Sequence, residues 1–90
     1  MALTKEEAIA RARKDLAGRI GVSDITADTV EDTEFPDMAL GAAGKGEMSG
    51  QMITPGWRIR LSANCESFEY RANKHQVRLY NYKGANYRIQ

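Results

Sequence analysis

The fold is decided by residues 57–82, which read WRIRLSANCESFEYRANKHQVRLYNY. Apolar and polar side chains alternate along this segment in three runs, and clusters of turn-forming residues at 63–66 and 73–76 separate the runs. Such alternation is typical of strands that bury one face. The segment therefore predicts three consecutive antiparallel strands, and residues 87–89 can add a short fourth.

An amphipathic helix at about residues 5–20 precedes these strands. Thr4 and Glu7 match a capping box, and Gly21 suits a left-handed C-cap. Apolar residues recur between them at spacings of three and four, at Ile9, Ala12, Leu16 and Ile20. Because a sheet with one apolar face needs a cover, we predict an α+β fold in which this N-terminal helix packs on an antiparallel meander of three to five strands.

The remaining organisation is that of a single domain, residues 1–90, with the meander at 57–90. Residues at about 25–35 are rich in threonine and acids, which predicts a charged edge strand. Residues 36–56 form a long Gly/Met-rich loop, and five of the eight glycines of the chain lie between Phe35 and Trp57. A loop of about 20 residues is uncommon in a compact domain and usually functional or mobile.

Charge is segregated along the chain. Residues 22–47 carry seven acids against one base, whereas residues 57–90 carry seven bases against two acids. Segregated charge can steer a partner, but opposite charges on neighbouring strands also stabilise a sheet. Internal pairing is the favoured interpretation.

Composition points to a cytoplasmic protein. The N-terminal sequence carries acids where a signal peptide needs a basic start, and no apolar run is long enough for a bilayer, so no membrane association is expected. The single cysteine, Cys65, cannot form an internal disulfide, which agrees with a reducing compartment.

No residue pattern indicates catalysis, a metal or a cofactor. Residues 41–46 resemble a phosphate-binding loop only in part, because Gly46 stands where that motif needs serine or threonine. His75 has no second histidine to complete a zinc site, and Glu66 disfavours a Cys65 thiolate. The acids Glu34, Asp37 and Glu47 are explained more simply as solvated residues that end a strand and cap a turn. We therefore predict a non-enzymatic protein without a cofactor.

Two groups of residues remain as candidate binding sites. Apolar side chains in the glycine-rich loop either complete the core, which is the favoured interpretation, or bind a protein partner: Met38, Leu40, Met48, Met52 and Ile53. Basic and aromatic side chains on the polar face of the sheet could bind an anionic ligand or single-stranded nucleic acid: Arg58, Arg60, Arg71, Arg78 and Tyr80. The sequence pI of about 7.9 is low for a nucleic-acid module, so a solvated face is favoured for this group.

The runs FPDMALG, MITPGWRIRL and FEYRA resemble a family of small, uncharacterised bacterial α+β domains. These combine an aromatic-Pro-Asp, a Leu-Gly, an Ile-Thr-Pro-Gly-aromatic and a Tyr-Glu-Tyr-like strand, and the likeness covers about residues 15–72. Relatives often carry a cysteine and a histidine at the positions of Ala42 and Arg71, and these two departures argue against a shared metal or redox role. The resemblance implies a helix-plus-sheet domain and no particular activity. The helix-then-meander order is also loosely similar to PepSY-type domains, which are regulatory or inhibitory.

From these observations the sequence predicts a small protein-interaction or regulatory domain that binds a protein partner through residues 38–53. Binding of an anionic ligand or nucleic acid through the arginine and tyrosine face is the alternative.

Overall fold

The computed structural model describes residues 2–90. It contains one helix, which packs on a five-stranded antiparallel sheet. The helix, α1, is Lys5–Ile20. Strand order in the sheet follows chain order, so the α+β class and the meander are confirmed. The strands are β1 (Thr26–Phe35), β2 (Thr54–Ala63), β3 (Glu66–Ala72), β4 (Val77–Tyr82) and β5 (Ala85–Arg88).

Both ends of α1 are capped as the sequence predicts. The main-chain N–H of Thr4 donates to Glu7 Oε1 at 2.9 Å, and the N–H of Glu7 donates to Thr4 Oγ1 at 3.1 Å. These two bonds satisfy donors that have no partner inside the helix. Gly21 ends the helix with a φ of 68°. Within residues 2–90, no helix has the length and apolar character needed to cross a bilayer.

The core lies between α1 and one face of the sheet, and all four apolar positions predicted on the helix pack there, although to different depths. The helix buries Ala8, Ala12 and Leu16, whereas Ile9 and Ile20 are only half-buried at its margins. Small alanine side chains let the helix backbone approach the sheet closely, which moves the larger isoleucines to the sides. The largest buried side chains of the sheet in this core are Ile59, Leu61, Tyr70, Val77 and Leu79.

One polar contact is built into the edge of this core. The buried Tyr70 hydroxyl donates to Asp15 Oδ2 at 2.8 Å, and Arg19 Nε donates to the same oxygen at 2.6 Å. Burial, reinforced by the hydrogen bond to Asp15, raises the pKa of Tyr70 above its ordinary value. The phenol therefore stays protonated and keeps its donor role.

The long loop is shorter than predicted, because β2 begins at Thr54 and Phe35 pairs with Thr54. Residues 36–53 are therefore the connection of a β1–β2 hairpin. The connection leaves the sheet after Phe35 and returns at Thr54, and these two residues are paired with each other. The predicted loop residues Pro55 and Gly56 are instead paired with β1. A side chain does not fit at Gly56, since its Cβ would lie 2.3 Å from the carbonyl oxygen of Ala72.

Candidate functional site

Four arginines stand opposite one another on the face of the sheet that points away from α1. Strand register pairs Arg58 with Arg71, Arg71 with Arg78, and Arg78 with Arg88. We call these four residues the arginine row. Like charges directly opposite each other destabilise a sheet, so the row requires acids or main-chain carbonyls as partners.

Glu69 is the acid at the centre of this face. Its carboxylate lies 2.7 Å from Arg71 Nε, 3.4 Å from Arg58 Nε and 3.8 Å from Arg60 Nη2. Only the contact with Arg71 is a hydrogen bond, and the buried Nε of Arg58 has no hydrogen-bond partner. One carboxylate thus faces three guanidinium groups, which leaves positive charge in excess.

Arg71 connects the sheet to the long connection. Its guanidinium carbon lies 3.6 Å from the ring centroid of Tyr80 and 5.4 Å from that of Phe35. Its Nη1 donates to the carbonyl oxygens of Leu40 at 3.1 Å and Gly41 at 3.2 Å. Arg71 and Tyr80 therefore form a stack on which the main chain of the connection rests.

Arg78 makes a second and stronger connection. It is 2% exposed, and its Nη1 and Nη2 donate to the two carboxylate oxygens of Glu47 at 2.7 and 2.6 Å. Nη1 also donates to the carbonyl of Ala42 at 3.3 Å. The hydrogen bonds from Arg78, and then that from the Gly44 N–H, lower the pKa of Glu47 to about 2, as expected for a bidentate pair.

Two amides complete the attachment. Gln76 Nε2 donates to the carbonyl of Met38 at 2.7 Å, and Asn86 Nδ2 donates to that of Ala43 at 2.9 Å. We call residues 38–47 the anchored segment, because side chains of β3, β4, β5 and the β3–β4 turn hold its main chain. Apolar side chains buried beneath or beside it complete this layer: Phe35, Ala39, Leu40 and Ala42.

The large apolar side chains of the connection divide into buried and exposed members. Leu40 is fully buried, so its placement in an exposed binding surface is wrong; it packs in the layer beneath the anchored segment. Met38, Met48, Met52 and Ile53 are between 51% and 96% exposed. We call these four residues the methionine surface. Met38 links the two halves of the connection, because its N–H donates to the carbonyl of Gly50 at 2.9 Å.

The predicted anion-binding residues are likewise divided. Arg58 and Arg60 keep exposed area, but Arg78 is buried against Glu47, so its placement on a solvated face is wrong. The sequence interpretation treated Glu47 as a solvated acid and missed this contact. Asp37 does cap a turn, since its Oδ1 accepts from the N–H groups of Ala39 and Gly41.

The residues considered for metal or redox chemistry lie apart from this face. Cys65 is exposed in the β2–β3 turn, and His75 lies in the β3–β4 turn. Between residues 2 and 90 no group of three His, Cys, Asp or Glu side chains is placed to hold a metal ion.

Comparison with known proteins gives a family. A family model described as "Domain of unknown function (DUF8738)" matches residues 9–80, which extend from α1 into β4 and include the whole anchored segment. Searches of curated proteins and of solved structures gave no match. Because the matched residues make up most of the chain, the protein belongs to the family Domain of unknown function (DUF8738).

Proposed function

We propose that this is a non-enzymatic, cytoplasmic protein-interaction or regulatory domain that binds a protein partner through the methionine surface. One observation carries the proposal. Across residues 2–90, five large hydrophobic side chains are exposed, and four of them belong to the methionine surface; the fifth is Tyr87. Single exposed apolar residues are ordinary, but several within one short segment are typical of an interaction site.

The side-chain chemistry supports a protein partner. Methionine is unbranched and polarisable, so it adapts its shape to apolar surfaces of different contour. Burial of these side chains at an interface would remove apolar area from water, which is the main favourable contribution to protein association. No core contact competes for Met48, because it is 96% exposed.

The anchored segment supports the same proposal. Its hydrogen bonds to Gln76, Arg71 and Arg78 fix the main chain that carries Met38 and leads to Met48. A fixed base lowers the conformational entropy that binding must remove, and pre-organisation of this kind increases affinity.

The test is a comparison of variants in affinity capture from the native host, followed by mass spectrometry. Met48→Gln with Met52→Gln should abolish capture of a protein that the unmodified domain retains, since both apolar anchors are lost. The free energy of unfolding should change by less than about 0.5 kcal/mol, because exposed side chains contribute little to folding.

Tyr87→Gln is the matched control, because among residues 2–90 it removes the one large exposed hydrophobic outside the methionine surface. It should retain the partner. Equal capture by the double variant and the unmodified domain would show that the binding site lies elsewhere.

Anion binding through the arginine face is the second candidate, and the excess of guanidinium groups over carboxylates around Glu69 favours it. Three guanidinium groups share Glu69 there, so a phosphate could satisfy donors that the protein leaves free. Arg58→Gln with Arg60→Gln should remove binding of a single-stranded oligonucleotide, and binding by the unmodified protein should weaken steeply with salt. Lys74→Gln, in the β3–β4 turn, is the control. No retention of the oligonucleotide at low salt would end this candidate.

A further inference from the structure

A slot opens in the sheet where β3 and β4 diverge. Their pairing runs from Ala72 and Val77 to Glu69 and Tyr80 and then stops, although β3 continues back to Glu66. At this point Asn81 takes a φ of 51°, and the register of β4 with β5 shifts. The left-handed conformation of Asn81 turns β4 away from β3. The first residues of β3 are therefore paired with a strand only on the β2 side.

The slot has the size and lining of a small-molecule site. Its volume is about 470 Å³, within the range of roughly 300 to 1,000 Å³ that is typical of such sites. Apolar and aromatic side chains line it together with a few charged ones. The apolar and aromatic members are Ile20, Phe68, Leu79, Tyr80 and Tyr82.

The main-chain groups of Ser67 face the slot, where β4 provides no ladder partner. Residues 64 and 65 have φ values of 52° and 62°, as in a type I′ two-residue hairpin turn, and Ala63 pairs with Glu66. Main-chain groups of an antiparallel strand point alternately to its two neighbours. Those of Glu66 therefore point to β2 and those of Ser67 point to the slot, where no β4 residue pairs with it.

Two charged groups that line the slot, one of each sign, have no ion-pair partner within residues 2–90, and the basic one, Lys83, has its Nζ 5.4 Å from the ring centroid of Tyr82. Arg19 is paired with Asp15, and Glu69 is paired with Arg71. Within residues 2–90, the remaining two, Glu66 and Lys83, form no ion pair. A ligand that satisfies both must carry a positive and a negative group.

We propose that the slot binds a free amino acid with an apolar or aromatic side chain, in its zwitterionic form. Its carboxylate pairs with Lys83, its ammonium group pairs with Glu66, and the main-chain groups of Ser67 hydrogen-bond between them. The side chain packs against the rings of Phe68 and Tyr82. This site is separate from the methionine surface, so either proposal stands or fails without the other.

The experiment is a titration of the protein, followed by amide NMR shifts, with three ligands that differ only in charge. L-phenylalanine carries both charges, phenethylamine only the ammonium group, and 3-phenylpropionate only the carboxylate. L-phenylalanine should bind with a Kd of about 1 mM, as the ligand efficiency of small molecules allows, and about fivefold more tightly than the other two. Shifts should centre on Ser67 and Phe68.

Two charge variants assign each contact. Lys83→Gln should weaken L-phenylalanine and 3-phenylpropionate about fivefold and leave phenethylamine unchanged, while Glu66→Gln should weaken the two amines and leave 3-phenylpropionate unchanged. Lys74→Gln, in the β3–β4 turn at the other end of the strands, should change none of them. Equal affinity for the three ligands, or no shifts with any of them, would overturn the proposal, as would a Lys83→Gln variant that binds L-phenylalanine unchanged.

Discussion

Leu16→Ala should lower the free energy of unfolding by about 3 kcal/mol. Leu16 is fully buried in the helix–sheet core, together with Ala12 of the helix and with Tyr70 and other buried residues of the sheet. Truncation removes transfer free energy and leaves a cavity that the rigid strands beneath it cannot fill. Urea denaturation followed by circular dichroism measures this change. The urea concentration at the midpoint of unfolding should fall, and the dependence of the unfolding free energy on urea concentration should stay the same.

Met48→Ala is the control for this prediction. It deletes an apolar side chain of similar size that is 96% exposed. The free energy of unfolding should therefore change by less than about 0.5 kcal/mol. Equal midpoints for the Leu16 and Met48 variants would be incompatible with a core between α1 and the sheet.

Glu47→Gln should destabilise the protein by about 2 kcal/mol and detach the anchored segment from the sheet. The variant leaves the buried guanidinium of Arg78 without its anionic partner, and removal of one member of a buried pair costs about 3 to 5 kcal/mol. Because the Glu47 side chain is 33% exposed, solvent screening reduces this figure. Chemical denaturation measures the loss, and faster amide exchange at residues 38–47 than in β2 and β3 locates it.

The same pair predicts how stability changes in acid. Folding lowers the pKa of Glu47 from its ordinary value of 4.5 to about 2. Its contribution is therefore complete above about pH 4.5 and is lost as the pH falls towards 2. The Glu47→Gln variant should show a shallower loss of stability across this interval than the unmodified protein.

Asp32→Asn controls for the loss of an ion pair as such. Asp32 lies 3.1 Å from Lys5 Nζ, but its side chain is 77% exposed, so we expect a change below about 0.5 kcal/mol. If the Asp32 and Glu47 variants were equally stable, the contact between Glu47 and Arg78 would not hold the segment.

The helix and the strands could be predicted because their signals are local. Thr4, Glu7 and Gly21 mark the ends of α1 within a few residues of each end, and alternation from Trp57 onwards shows one face of each strand. The pattern failed where packing between elements decides burial. Ile9 has the same spacing signal as Leu16, yet the alanines Ala8 and Ala12 determine which side of the helix lies flat on the sheet.

The candidate sites were only half predictable for the same reason. The two hairpin turns that the sequence predicts already align Arg58, Arg71 and Arg78 across the sheet, so the arginine row was available from register. Their partners were not, because Glu47 and Arg78 are 31 residues apart and no periodicity joins them. Leu40 could not be separated from Met48 either, since both are apolar residues in a glycine-rich stretch.

The attachment of the anchored segment has a consequence for how its sequence can vary. Arg71, Arg78, Gln76 and Asn86 all bind carbonyl oxygens of the main chain there, and every residue type supplies a carbonyl. Only a few positions of the segment are fixed by their side chains, among them Leu40 and Glu47, and Asp37 caps the turn that begins it. The attachment therefore places little constraint on the side chains that face outward, so substitutions there should change the exposed surface while the attachment persists.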